Sequence, residues 1–399
     1  MSSNPAADMT WYIPWLSCQL ANLPQCLREF RFVKGNVPVT ALSLVDMASF
    51  IAESVVLDQG CSIDELILSL HERGGYFDQG DNATDAAHRL LVFAALGWTS
   101  MLYQPAFNVC SLNEFAIHQD ATQPDSGLVF HNYKLPADFA DRPLHALLRG
   151  FGNLLPAPPQ VASPGGANMV RSAASWTALY PTELNAHILH EILGVHFRWV
   201  DSLALHLDYD KSTHTLSLFA FPSQCVHMLY SRGPIFAFAS NEPDGAEDPR
   251  ADADDIRDLL REVLMSYRLL FAQCRKARKL FRRISSSDEI PFSQPDALLS
   301  VLCVSKSHNL SAEYLPEDRP VYFIPRDFCM LSERLQLILR DLENVRPKSM
   351  VDLVRDKRDT VQYWTFWLVA IIGGVGILLS LTQVVLQVVQ LAQQASQSK

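Results

Sequence analysis

Residues 360–398 contain no Asp, Glu, Lys, Arg or His. A helix of a soluble fold rarely runs this long without a charged residue. Within it, residues 364–385 are 22 mostly apolar positions, which at 1.5 Å per residue extend about 33 Å, slightly more than a hydrocarbon core. The sequence therefore predicts a transmembrane helix over 364–385, an anchor to which Trp364, Trp367, Gly373, Gly374, Leu379 and Val385 belong. Tyr363, Trp364 and Trp367 stand where interfacial aromatic rings sit. Five basic residues (Arg346, Lys348, Arg355, Lys357 and Arg358) fall in the twenty before the span, and only Lys399 follows it. That bias predicts a cytosolic N-terminal body. With a short polar tail, 386–399, after the span, the expected arrangement is a single-pass, tail-anchored protein inserted after synthesis.

Two features of the span point to a partner helix or to self-association. Gly373, Gly374 and Gly376 thin one stretch, which allows close approach. Gln383, Gln387, Gln390 and Gln394 recur at helical spacing and make one polar face.

Composition limits the remainder. With 48% hydrophobic and 19% charged residues the chain can bury a core. A net charge of -10 argues against nucleic acid as the main partner, because phosphate binding needs a basic face. The eight cysteines show no CxxC pair and no Cys/His finger spacing. Buried free thiols in a reducing compartment are the expectation. The first fifteen residues, interrupted by Pro5, Asp8 and Pro14, lack the basic start and apolar run of a secretory signal.

The predicted fold class is α+β: a helix-dominant soluble body with a β-hairpin or small antiparallel sheet, plus the C-terminal helix. A mainly helical region covers 1–153. Helices are expected over 41–57, after the Ser62/Glu65 capping box up to Gly74-Gly75, and over 86–99. A Pro/Gly/Ala-rich linker spans 154–175, and 176–240 holds a helix over 182–193 and the hairpin. In that hairpin Ser202, Ala204, His206 and Asp208 alternate with Leu203, Leu205, Leu207 and Tyr209. Asp210-Lys211-Ser212-Thr213 turns the chain, and Leu216, Leu218 and Ala220 return. A short third strand is expected over 235–239. An acidic linker, 241–255, leads into 256–359, where one long helix is expected over 254–284, another over 328–345, and a last one from about 349 into the membrane.

Three clusters are candidate sites. Asp254, Asp255 and Asp258 form a DDxxD pattern that can hold a divalent cation, but no second metal motif follows, and Asp at a helix start is favoured by capping alone. His187 and His190 are three apart beside Glu191 and His196, without the spacing of a zinc protease. Arg275, Lys276, Arg278, Lys279, Arg282 and Arg283 put six positive charges in nine residues. Five of them (Arg275, Lys276, Lys279, Arg282 and Arg283) are the predicted contacts to membrane lipid. No GxSxG elbow, Walker loop or GxGxxG occurs in the body, so no catalytic, cofactor-binding or metal residue is assigned.

Several segments resemble a filamentous-fungal family of uncharacterised single-pass proteins. They are Leu96-Gly97-Trp98 with Gln104-Pro105, Leu148-Arg149-Gly150-Phe151-Gly152, Trp199-Val200-Asp201-Ser202-Leu203 running to His206-Leu207, Ser266-Tyr267-Arg268-Leu269-Leu270-Phe271, and Tyr363-Trp364-Thr365-Phe366-Trp367. The resemblance implies a C-terminal membrane helix and no established activity. The layout is loosely that of CorA-type magnesium channels, but the chain lacks the Gly-Met-Asn signature and a second span, so ion transport is not carried over. The expected function is non-enzymatic: a cytosolic interaction or scaffold body with an unknown protein partner. The alternative is a membrane-tethered enzyme or accessory factor of a fungal metabolic pathway.

Overall fold

The computed structural model describes residues 9–33, 36–57, 60–77, 82–108, 111–118, 133–152, 154–156, 177–239, 251–286, 294–304, 315–344 and 360–397. The chain divides into two compact units, Met1–Glu343 and Asn344–Lys399. In the first unit, α1 (Tyr12–Ala21) and α2 (Gln25–Arg28) precede a two-residue pair, β1 (Arg31–Phe32) and β2 (Val37–Pro38). Then come α3 (Ala41–Leu57), α4 (Ile63–Ser69) and α5 (Asn82–Ser100). The antiparallel pair β3 (Glu114–Ala116) and β4 (Lys134–Pro136) leads to α6 (Leu144–Phe151).

The start of α4 follows directly from its sequence. Ser62 accepts from the Glu65 N–H, and the Glu65 carboxylate accepts from the Ser62 N–H at 2.7 Å, which satisfies two donors that a helix start leaves free. A π-turn, Leu70–Gly74, extends α4 and ends on Gly75 at φ 61°, a left-handed position that glycine takes without strain. Helix α5 begins at Asn82, ahead of the expected start, and its length is almost wholly buried from Leu90 to Trp98.

The second half of this unit contains β5 (Thr177–Leu179), α7 (Ala186–Ile192), β6 (His196–Val200), β7 (Tyr209–Asp210) and β8 (Thr215–Phe219). After these come α8 (Pro222–Ser231), α9 (Ala253–Tyr267), α10 (Arg275–Ser286), α11 (Ala297–Val304), β9 (Tyr322–Ile324) and α12 (Ser332–Asn344). The body is thus helix-dominant with small antiparallel sheets, and one parallel pair is added to them. Strand β8 lies at the centre of a three-stranded sheet, parallel to β6 and antiparallel to β7, and β5 pairs with β9. Helix α1 is fastened to α8: Trp11 stacks on Phe221 at 4.0 Å and its indole N–H donates to Ser223 Oγ at 2.8 Å.

The structure corrects several expectations. The tip of the hairpin is as expected, with Tyr209 opposite Leu216 and Asp210 opposite Thr215. Its first arm is not a strand: Leu203–Leu205 is a 3₁₀ turn, Leu207 has φ 59°, and the long partner of β8 is β6 instead. The alternation misled because both faces are covered, so His206 and Asp208 are as buried as Leu203 and Leu207. The third strand expected over 235–239 is a 3₁₀ turn, Pro234–Phe238, whose proline cannot donate to a ladder. The long helix over 254–284 is two helices. A π-turn, Arg268–Ala272, separates α9 from α10, and all five of its residues are buried. Its Arg268 guanidinium is wholly enclosed, donating to the Leu302 carbonyl at 2.8 Å and to Asp318 at 3.0 Å. The 182–193 helix starts later, at Ala186, after Asn185 accepts from the Ile188 N–H at 3.1 Å. The 328–345 helix likewise starts at Ser332. Of the described cysteines, Cys61, Cys225 and Cys303 are buried free thiols, but Cys18 and Cys26 are exposed.

The linker over 154–175 lies outside the described residues except for 154–156, as do most of the acidic linker and the whole segment 345–359. The second unit contributes α13 (Thr360–Gln397), which continues as helix through most of the expected polar tail.

Candidate functional site

Helix α13 holds Trp367–Val388, 22 residues with mean hydropathy 2.3, none of it buried against protein. It is the one helix among the described residues long and apolar enough to cross a membrane. The expected span was 364–385, so the apolar window lies three residues further on. Of the residues assigned to the anchor, Trp367, Leu379 and Val385 are exposed, Leu379 by 66%. Gly373 and Gly374 would meet nothing within 4 Å if a Cβ were added. The Trp364 side chain lies outside the described residues. Among the described residues of the body, by contrast, most large apolar side chains are covered, with exceptions such as Leu42 and Leu68. Leaving so many Leu, Ile and Val side chains in water costs about 25 cal/mol per Å², and a lipid phase removes that cost.

At 100° per residue, Gly373, Gly376, Ser380, Gln383 and Gln387 fall within an arc of about 80°. Thr382 lies off that face, and its hydroxyl donates back to the Leu378 carbonyl at 2.7 Å. Two of the three glycines thus share one side with Ser380 and the glutamines, whereas Gly374 falls about 100° from Gly373 and off that side; such a face of small and polar residues occurs where membrane helices approach each other.

In the body, α9 opens with the DDxxD residues. Asp252 is the N-cap, accepting from the N–H groups of Asp254 and Asp255 at 2.7 and 2.8 Å, and the Asp255 carboxylate returns a bond to the Asp252 N–H at 2.9 Å. Asp254 pairs with Arg257, and Asp258 with Arg261 at 3.4 Å. Asp255 thus serves the helix start, and Asp254 and Asp258 are each paired with an arginine three residues on. Among the described residues no three His, Cys, Asp or Glu side chains converge to hold a metal ion. His187 and His190 both lie on α7. The Nδ1 of His190 is 3.0 Å from the Val195 carbonyl and its Nε2 is 3.2 Å from Arg283, so both ring nitrogens are engaged. His196 is exposed at the start of β6.

The basic cluster forms α10. Arg275, Lys276, Lys279, Arg282 and Arg283 are exposed, whereas Ala277, Leu280, Phe281 and Ile284 are buried on the opposite side. Arg278 turns back to the Ala272 carbonyl.

Three polar arrangements in the core have no counterpart in the sequence analysis. His206 Nε2 is 2.8 Å from Ser266 Oγ, both wholly buried, a spacing that a serine nucleophile and its base would show. The proton directions forbid that chemistry. The Phe219 N–H donates to His206 Nδ1 at 3.2 Å, so the ring proton is on Nε2 and donates to Ser266. Ser266 in turn donates to the Val263 carbonyl at 2.7 Å. Burial, helped by the nearby Arg334, pushes His206 down to about 3, which keeps the ring neutral. Glu262 forms the second arrangement. Its carboxylate accepts the N–H groups of Cys329, Met330 and Leu331 at 2.6, 3.0 and 2.8 Å, just before α12. Burial raises its carboxyl to about 7, against the effect of those three donors. The third arrangement ties β7 to α12. Tyr209 donates to Asp341 at 2.7 Å, and Lys211 pairs with the same carboxylate at 2.6 Å. The pairs His206–Ser266, Glu262–Cys329 and Tyr209–Asp341 are 60, 67 and 132 residues apart in sequence, and no local pattern announces them.

Comparison with protein-family models, curated proteins and solved structures finds no match to this chain. These comparisons neither support nor contradict the expected likeness to a fungal family.

Proposed function

We propose that this chain is a membrane-anchored interaction protein, held by Trp367–Val388, whose body works as a non-enzymatic scaffold on the cytosolic side. The observation that carries the reading is a 22-residue apolar helix without protein cover. The five basic residues in the twenty before residue 364 favour the cytosolic side for the body. The scaffold role is favoured because the reactive-looking groups are committed to structural bonds: Ser266 donates to a carbonyl, His190 is bonded at both nitrogens, and Asp254 and Asp258 are paired. The face bearing Gly373, Gly376, Gln383 and Gln387 supports a second membrane helix, including one from another copy of the chain, as a partner.

The test is extraction. The full chain is expected to remain in the membrane pellet after a sodium carbonate wash, and a version ending at Asp359 to move to the soluble fraction. Release of the intact chain, or retention of the shortened one, would overturn the anchor.

A further inference from the structure

The outer face of α10 gathers exposed positive charge. Arg275, Lys276, Lys279, Arg282 and Arg283 lie within an arc of about 120° at helical spacing, all exposed. The opposite face fixes them in place. Ala277, Leu280, Phe281 and Ile284 are buried, and the Phe281 ring meets Phe271 at 5.5 Å and Trp199 at 6.0 Å. Arg283 also bonds His190 at 3.2 Å. Among the described residues, the ion pairs with carboxylates, such as Arg89 with Asp64 and Arg268 with Asp318, do not involve Arg275, Lys276, Lys279 or Arg282. The chain as a whole is strongly acidic, at -10, so this concentration of like charge on one rigid face is against its average. Burying those charges in protein would need matching carboxylates. A surface of anionic headgroups supplies them without specific geometry.

We infer that this face of α10 seats on anionic phospholipid, so that the body lies against the bilayer that anchors it. The inference rests on the anchor reading above. Residues 345–359, the 15 between α12 and α13, reach at most about 50 Å even fully extended, so the lipid surface is always near at high effective concentration. A weak attraction then suffices. Each cation near such a surface biases the docked state roughly five-fold, and the bias is screened as salt shortens the Debye length from about 8 Å to about 3 Å.

The test uses the full chain reconstituted in vesicles of phosphatidylcholine alone or with phosphatidylserine. Amine acylation at Lys276 and Lys279 is followed by mass spectrometry, with the exposed Lys134 as internal reference. Expected is slower acylation of Lys276 and Lys279, but not Lys134, only in the phosphatidylserine vesicles, and recovery at 1 M salt. Arg275→Gln with Arg282→Gln leaves both reporter lysines in place and removes two exposed charges. It should lower the docked-to-free ratio roughly 25-fold, with the thermal unfolding midpoint unchanged. Equal rates in the two vesicles would overturn the inference. So would salt-sensitive protection in phosphatidylcholine alone, which would put an acidic protein segment on the face. Protein that floats with both vesicle types but shows equal rates loses the docking and keeps the anchor. Protein that floats only with phosphatidylserine and is stripped by carbonate loses the anchor and keeps the docking.

Discussion

His206 shows how one side chain is decided by its surroundings. In a solvated strand it would titrate at about 6.5. Here it bridges the Phe219 N–H and Ser266 Oγ with no exposed surface, and burial lowers it to about 3. A depressed histidine stabilises the fold fully above its unfolded value, because both states are then neutral. As pH falls from about 6.5 toward 3 the unfolded chain takes up the proton and the folded chain does not, so stability is lost in that window, on the order of 5 kcal/mol over its full width. The Glu262 carboxyl, raised to about 7, gains stability on acidification over the same range, so the His206 contribution is read as the difference between the full chain and His206→Gln in urea unfolding in detergent at pH 7 and pH 4. His206→Gln should start lower at pH 7, by about 1–3 kcal/mol for the disturbed buried bonds, and lose less on acidification. An unchanged slope in that variant would show that other groups set the acid limit. The same bonds explain why the Ser266–His206 spacing is not a nucleophile and its base: the proton that a base must accept is already on the nitrogen facing the serine.

At the scale of elements, Glu262 carries a prediction about α12. The N–H groups before a helix need acceptors, and here a carboxylate from α9 supplies them for Cys329, Met330 and Leu331. Glu262→Ala takes the acceptor from three N–H groups, those of Met330 and Leu331 buried and that of Cys329 half-buried, and is expected to destabilise the body by about 3 kcal/mol. Amide hydrogen exchange should speed up at residues 329–331 and in the first turn of α12 beyond the global effect. Uniform acceleration across the body would remove the capping role. The other elements show where periodicity suffices and where it fails. The capping box of α4 is legible because its partners are three residues apart. The division between α9 and α10 is not. The turn at Arg268–Ala272 is buried on all sides, so its apolar residues continue the stripe in sequence while the helix widens in space.

For the whole molecule, association belongs to the helix that leaves the body. Glutamine amides in hydrocarbon gain by pairing with one another, by about 0.6–2 kcal/mol per bond, and copies inserted in the same direction bring Gln383 to Gln383 at equal depth. Single cysteines at Gln383 and Gln387 are expected to cross-link between copies in native membranes, whereas cysteines at Leu378 and Val385, on the other side of α13, should not. Equal cross-linking from both sides would indicate random collision. The candidate anchor was legible almost completely, because a charge-free run declares its solvent without reference to any other part of the chain. Its window moved by only three residues. The exposure of the α10 cations was legible for the same reason, since bare charge seeks water. The core polar groups were not. His206 and Asp208 occupy the polar positions of an alternating pattern that fits a half-exposed strand, and only the packing of α9, β8 and α12 around them provides partners and covers both faces. The sequence by itself determined which segment is long, apolar and charge-free enough to cross a membrane, and where bare positive charge gathers on one helix. The tertiary structure alone decided which polar groups could join the interior, because that depends on donors and acceptors brought together from distant parts of the chain.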